Sequence, residues 1–365
     1  MSTYTVAVIG TGPDPSNPTV EGFAMGYRHA EAYATDDRFE LVAAADIVEE
    51  NGRAFGNHFD LDEESVYTDY EEMLATAEPD IVSVCVPPAI HRPVVVTCAR
   101  SGVVEAIHCE KPMADTWEDA RTMVQECWRR DVQLTFNRQR RFGKPFTEAK
   151  RLIDEGEIGS LERIEIGWGD FYDTGAHSVD LACMFNDEYT ADWVLAGLDY
   201  REEDVRFGSH QENQMWAQWR YENGVYGVVS TGPGADFVGA AFLIRGDEGA
   251  IRIDVEDGPM LELERGGERT KIDVGSETLH HSGQEKGRFG SQFHDRAVAE
   301  VADALDEGRE PELSGRRGLN TAEILFAGYE SVRTRSRVDL PLDLSDNPLE
   351  ALVESGELTP ESPDE

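Results

Sequence analysis

The 365-residue sequence is poor in lysine, in positive charge, in pairable cysteine and in long apolar runs. Thirty-three basic residues stand against 73 acidic ones, a formal net charge of −40 that disfavours nucleic acid or an anionic membrane as partner. No stretch reaches the roughly 20 uninterrupted apolar residues of a membrane helix. The opening Met-Ser-Thr-Tyr passes straight into Thr5-Val-Ala-Val-Ile-Gly10, with neither the basic region nor the cleavage site of a signal peptide, so a cytoplasmic location is expected. The five cysteines, Cys85, Cys98, Cys109, Cys127 and Cys183, are odd in number and widely spaced. That suits free thiols in a reducing compartment better than a disulfide framework. His108, Cys109 and His177 form no closed ligand spacing, so no metal is expected. The lysines are only Lys111, Lys144, Lys150, Lys271 and Lys286. An acidic, lysine-poor surface suits molar salt, where the Debye length falls to about 3 Å and self-repulsion is screened. A salt-loving source is the expectation, and it makes each retained lysine a better functional candidate.

What is present is a periodic apolar pattern, 40% of the chain, which excludes disorder and suffices for two domains. Residues 5–10, 40–46, 81–86, 104–110 and 132–136 read as strands, and 24–35, 47–58, 69–77, 90–101 and 116–130 as helices between them. That alternation predicts a doubly wound parallel sheet over residues 1–135, an α/β Rossmann domain. Beyond it, short strands near 214–221, 225–230, 241–245 and 250–254 alternate with glycine turns, and helices are read at 292–306 and 319–335. Residues 136–344 are therefore expected to form an α+β domain with a mostly antiparallel sheet and flanking helices. Residues 345–365 carry seven acids, no base and no aromatic, and read as a solvated tail.

Gly10-Thr-Gly12 closes the first strand, where a glycine turn lets backbone approach a pyrophosphate at a helix N-terminus. Asp46 ends the second strand, where a carboxylate accepts ribose hydroxyls and repels a 2′-phosphate. No arginine follows Asp46, which favours NAD, with NADP possible. The alternative for Asp46 is a cap on the helix of 47–58. Residues 13–22 interrupt the fingerprint, and either Gly26 or Gly22 serves as its third glycine.

Glu110-Lys111-Pro112 follows the strand 104–110, at the carboxyl end that faces the cofactor crevice in this architecture. An ammonium there can hydrogen-bond a reacting oxygen and stabilise alkoxide charge. Asp173, His177 and Asp180 share one face if their stretch is helical. An aspartate one turn before a histidine can orient the ring as proton acceptor. The plainer readings are a core histidine, and an N-cap for Asp173. His91 follows Pro87-Pro88 and is either near the nicotinamide or a helix cap. Tyr172, Asn137, Arg141 and Trp168 are candidate outer substrate contacts, although Arg138 and Arg141 more often brace acidic neighbours.

At these residues the chain resembles the glucose–fructose oxidoreductase / inositol dehydrogenase (Gfo/Idh/MocA) family. The resemblance covers residues 4 to about 343 and rests on Gly10-Thr-Gly12, Met25-Gly26-Tyr-Arg-His29-Ala, Asp46, Val86-Pro-Pro88 with His91, and Glu110-Lys111-Pro112. It continues through Asn137-Arg-Gln-Arg-Arg141-Phe, Asp173-x-Gly-x-His177-x-x-Asp180 and Val338-Asp-Leu-Pro-Leu342. It implies hydride transfer between nicotinamide and a hydroxyl of a sugar, polyol or inositol-like molecule. It implies Lys111 and His177 as the catalytic pair, with Asp173 on substrate, and Gly10, Gly12, Gly26, Asp46, Pro87, His91, Glu110 and Lys111 toward the cofactor. It also implies an open sheet that mediates dimer or tetramer contacts. A long insertion after Gly12 and a short route from Arg163 to Asp173 depart from the family pattern. The same scaffold supports an NAD-dependent glycoside hydrolase or lyase working by transient oxidation, or a nucleotide sensor.

Overall fold

The computed structural model describes residues 3–17, 24–280 and 288–361. The expected Gly22 alternative and Lys286 lie outside the described residues. The chain forms two compact units, the first comprising Met1–Ala114, Asp119–Gln139 and His281–Arg316, the second Asp115–Glu118, Arg140–His280 and Arg317–Glu365.

The first unit is built on β1 (Tyr4–Ile9), α1 (Met25–Tyr33), β2 (Phe39–Ala45), α2 (Glu49–His58), β3 (Val66–Tyr67), α3 (Tyr70–Ala77) and β4 (Ile81–Val84). It continues with α4 (His91–Ser101), β5 (Ala106–Cys109), α5 (Trp117–Trp128) and β6 (Gln133–Phe136). The six strands lie in the order β3-β2-β1-β4-β5-β6, and every pair is parallel. Strand β4 is buried at all four positions and β5 likewise, as expected of apolar runs covered on both faces by crossover helices. The order reverses between β1 and β4, which places a crevice at the carboxyl ends of β1, β2 and β4.

In the second unit come α6 (Lys144–Asp154), β7 (Leu161–Ile166), α7 (Gly175–Phe185), β8 (Ala191–Asp199), β9 (Asp204–Arg206), β10 (Ser209–Gln211), β11 (Gln214–Tyr221) and β12 (Tyr226–Ser230). Then follow β13 (Ala240–Gly246), β14 (Gly249–Val255), β15 (Leu261–Arg265) and β16 (Glu268–Lys271). Helix α8 (Gln292–Glu307) belongs to the first unit, and α9 (Gly315–Thr334), β17 (Val338–Asp339) and α10 (Pro348–Glu354) complete the chain. Nine strands form one sheet, β16-β15-β14-β13-β7-β12-β11-β8-β17, antiparallel except for β7 with β12. Strands β9 and β10 pair separately as a small antiparallel ribbon. Helix α7 is buried along almost its whole length, because its residues from Gly175 to Cys183 are nearly all small or apolar.

Two readings of the domain pattern are corrected. Helix α8, expected in the second domain, packs Val298, Val301 and Ala302 against Tyr4, Val6, Ala32, Tyr33, Ile81 and Ala106 of the first unit. Its apolar stripe is legible in sequence, but the surface that stripe covers is chosen by tertiary fit. The acidic segment after 345 is not wholly a solvated tail. Asn347 accepts hydrogen bonds from the amides of Leu349 and Glu350, Pro348 opens α10, and Leu349 and Leu352 are buried. An Asn-Pro start followed by leucines three residues apart outweighs the acidic composition.

Candidate active site

Within the first unit a cavity of about 310 Å³ opens at the carboxyl ends of β1, β2 and β4. Ile9, Gly10, Gly12, Asp46, Val86 and Pro87 line its floor and rim, with Ile47, Tyr70 and Ile90 among its walls. Gly10 and Gly12 both have positive φ, at 84° and 69°, and a Cβ on Gly10 would meet Val86 Cγ1 at 2.7 Å and the Cys85 carbonyl oxygen at 2.8 Å. Gly26, at the start of α1, lies so close to the turn that a Cβ would stand 2.9 Å from the Gly10 carbonyl oxygen. Close helix–strand packing is the part played by the third glycine of a dinucleotide fingerprint.

Asp46 is buried, and its carboxylate is largely engaged by the protein. Oδ2 accepts from the Gly12 amide and the Thr11 hydroxyl, both at 3.0 Å, and Oδ1 accepts from the Val48 amide at 2.9 Å. The two sequence readings of Asp46 thus meet in one side chain: it braces the glycine turn and the start of α2 at the cavity rim. Three of about four acceptor positions are used, which leaves capacity for a ribose hydroxyl. An apolar slot, a glycine-built turn whose one side chain, Thr11, is tied back to Asp46, and a rim carboxylate fit a dinucleotide.

Lys111 follows β5 in the same unit. The preceding Glu110 turns inward: Oε1 accepts from His29 Nε2 at 2.8 Å and from Asn137 Nδ2 at 2.6 Å, and Oε2 accepts from the Lys111 amide at 3.2 Å. Burial pushes the Glu110 carboxyl up, but the hydrogen bond and charge of His29, aided by Asn137 and Lys111, hold it down at about 2. Ser83 links His29 Nδ1, at 3.1 Å, to the Tyr33 hydroxyl, at 2.9 Å. Glu110 is therefore a brace beneath the lysine, and Asn137, expected on substrate, belongs to the same cluster. His91 is also internal, with Nε2 2.8 Å from the Val86 carbonyl oxygen and Nδ1 3.2 Å from that of Met113. Burial lowers its pKa, against the opposing pull of the Met113 and Val86 carbonyl oxygens. Neither Glu110 nor His91 is among the residues lining the cavity.

In the second unit, His177 is buried in the first turn of α7, its amide bonded to the Thr174 carbonyl at 2.8 Å. Asp173 lies in the turn before that helix rather than on its face, because α7 starts at Gly175. Its carboxylate approaches Arg206 Nη1 at 3.9 Å. Asp180 serves the core: Arg141 grips it through Nε at 2.6 Å and Nη2 at 2.7 Å and reaches Glu188 through Nη1 at 2.6 Å. Arg141 is thus a buried brace and not an outer contact. Sequence reasoning passes over its neighbour Arg140, whose guanidinium carbon stands 4.4 Å from the Trp168 ring centroid. Burial pushes Arg140 down to about 10 against the pull of Asp173 and Asp170. Consecutive arginines on one tight turn point to different surroundings, and nothing in a linear motif separates them.

A doubly wound nucleotide-binding unit followed by a large, mostly antiparallel sheet is the architecture of a class of nicotinamide-dependent oxidoreductases. The chain belongs to the Gfo/Idh/MocA oxidoreductase family: residues 5–138 match its NAD-binding Rossmann fold and residues 162–340 its C-terminal alpha/beta domain. It is 24% identical to the myo-inositol 2-dehydrogenase of Thermotoga maritima over 336 residues, 87% of this chain and 96% of that protein. It is 27% identical to the D-apiose dehydrogenase of Paraburkholderia graminis over 340 residues, 86% of each chain. The crystal structure of an oxidoreductase from Agrobacterium radiobacter in complex with NAD+, L-tartaric acid and magnesium matches with a TM-score of 0.74 at 22% identity, covering 93% of this chain and 98% of that one. Among the described residues no group of histidine, cysteine and acidic side chains could hold a metal ion, and no helix is long and apolar enough to cross a membrane.

Proposed function

We propose that this chain is a dehydrogenase that transfers hydride between a CH–OH group of a small sugar, polyol or inositol-like molecule and NAD. The observation that carries the proposal is the apolar, glycine-floored cavity rimmed by Asp46, on the same sheet edge that presents Lys111. The inositol and apiose dehydrogenases among its relatives support the substrate class. NAD supplies the hydride acceptor when bound. Gly10, Gly12 and Gly26 keep side chains out of its path, and Pro87 borders it. Asp46 offers its remaining acceptor capacity to a ribose hydroxyl and opposes a 2′-phosphate by charge, so NAD is preferred to NADP.

Lys111 hydrogen-bonds the reacting oxygen and stabilises the alkoxide charge that develops there as its proton leaves, before hydride departure from the carbon turns it into a carbonyl. His177 takes the hydroxyl proton as general base, and Asp173 orients the substrate. Arg140 and Trp168 offer a donor fork and a ring face, the pairing that suits a polyhydroxylated ligand. The protein is a homo-oligomer in this proposal, supported by the outward Leu195 and Trp216 on neighbouring strands of the large sheet. The acidic excess and the free cysteines support a cytoplasmic enzyme of a salt-loving organism.

The test is turnover in high potassium chloride with NAD or NADP and a panel of polyols, aldoses and inositols, read by nicotinamide absorbance. Lys111→Ala and His177→Ala each abolish turnover without unfolding, and Asp46→Ala narrows the preference for NAD over NADP. Tight cofactor binding with no net reduction of any substrate would overturn the dehydrogenase reading.

A further inference from the structure

The second unit contains a buried carboxylate that the proposed chemistry does not use. Glu212, in the link between β10 and β11, is almost fully buried. Its Oε1 accepts from the Phe171 amide and its Oε2 from the Tyr329 hydroxyl of α9, each at 2.6 Å. Phe171 lies two residues before Asp173 and six before His177. Its ring meets Tyr329 edge-on at 5.7 Å and fits where Gly328 has no side chain; a Cβ there would stand 2.6 Å from it.

The chain around Glu212 holds the same segment at two further points. Arg206 of β9 donates to Asp170 Oδ2 at 3.1 Å, and Asp170 in turn accepts from the Thr174 amide at 2.9 Å and its hydroxyl at 3.0 Å. Ser209 of β10 bonds to the hydroxyl of buried Tyr172 and donates to Asp115 at 2.5 Å. The β9–β10 ribbon pairs with no strand of the large sheet. The ribbon and the Glu212 link that follows it contact three successive residues, Asp170, Phe171 and Tyr172, and so cradle the turn that enters α7.

We propose that Glu212 is a positioning residue, clamping the Phe171 backbone to α9 so that Asp173 and the first turn of α7 hold His177 in its working place. This rests on the dehydrogenase roles assigned above to Asp173 and His177. A forked polar head on this side chain is the group required, because one oxygen must take a buried amide while the other atom meets a buried hydroxyl. Burial, opposed by the Tyr329 and Phe171 hydrogen bonds and reinforced by the Asp170 charge, raises the Glu212 pKa to about 7. The charged and titratable groups around it are Asp170 and Tyr172 from the turn and Tyr329 from α9, with Arg206 neutralising Asp170 from the ribbon. The clamp therefore changes its protonation near neutrality.

The experiment uses the full chain carrying Glu212→Ala, Glu212→Gln or Tyr329→Phe. Each variant is measured for NAD affinity, for KM and kcat across pH, and for hydrogen exchange in peptides spanning 168–178. Displacement of a catalytic group by about 1 Å can cost on the order of 100-fold, so Glu212→Ala is expected to lose one to two decades of kcat while NAD affinity is unchanged. Its 168–178 amides exchange faster. Glu212→Gln keeps the Phe171 bond and most of kcat, and loses the ionisation near neutrality from the pH profile. Tyr329→Phe, which retains the Phe171 bond, falls between them and keeps the test alive should Glu212→Ala fail to fold. Folded variants with wild-type kcat and wild-type exchange would overturn the clamp. Absence of polyol turnover in the wild type would overturn the dehydrogenase reading instead, and the exchange arm would still decide whether Glu212 holds the turn.

Discussion

Gly26→Ala is the sharpest probe of the nucleotide site, because the atoms it would strike are all backbone. An added Cβ would stand 2.9 Å from the Gly10 carbonyl oxygen, 2.9 Å from Thr11 Cα and 3.0 Å from the Thr11 carbonyl oxygen. None of these can rotate away, so α1 must retreat from the glycine turn by several tenths of an ångström. Overpacking of this kind costs about 1–3 kcal/mol, and the better helix propensity of alanine returns up to about 1 kcal/mol. The expected net loss is about 1–2 kcal/mol. The displaced turn also forms the cavity floor, so NAD affinity falls by about tenfold, equivalent to about 1.4 kcal/mol. The assay is urea unfolding at constant potassium chloride, followed by tryptophan fluorescence, with an NAD titration alongside. Gly197→Ala is the control: a Cβ there meets nothing within 4 Å, and a change within about 0.5 kcal/mol is expected. A Gly26→Ala protein with wild-type unfolding and NAD affinity would refute the close approach of helix and turn.

Other outcomes follow from the buried charges and the surface. Arg141→Ala leaves the Asp180 and Glu188 carboxylates without their cation, and the expected cost in a denaturant titration is about 3–5 kcal/mol. Arg141→Lys recovers only part of it, since an ammonium cannot grip Asp180 with two parallel donors. The depressed carboxyl of Glu110 contributes stability that is fully present above the ordinary glutamate value of about 4.3 and is lost as pH falls toward about 2. Glu110→Gln should therefore narrow the stability difference from wild type across that window; a constant difference would exclude the His29 ion pair. The unfolding temperature should rise between about 0.1 M and about 1 M potassium chloride, as the Debye length shrinks from about 10 Å to about 3 Å. A flat or falling curve would remove the high-salt explanation of the −40 charge.

Five of the first unit's six strands were legible because they are mostly apolar runs between helices of regular period, whereas β3, only Val66–Tyr67, was not read because two residues carry no period. Residues 81–86 needed no partner to be read, and β4 occupies Ile81–Val84. The glycine turn and Asp46 were legible for a similar reason: positive φ and a strand-end carboxylate are local requirements. The inward turn of Glu110 was not. Its partners His29 and Asn137 lie on α1 and just beyond β6, and only folding brings them to one carboxylate. Arg140 and Arg141 show the same limit, since adjacent identical residues carry no mark of which will stack on Trp168 and which will bind Asp180.

Local chemistry thus determined the order of elements, the glycine-built turn, the strand-end lysine and the Asp173–His177 spacing, because backbone preference and apolar period act within a few residues. Tertiary structure alone decided that α8 covers the first unit's sheet, that Asp46 braces the turn it borders, and that Glu212 grips Phe171 and Tyr329. Those outcomes depend on which distant groups share a buried space. There every donor and acceptor must find a partner, and no single segment encodes the identity of that partner.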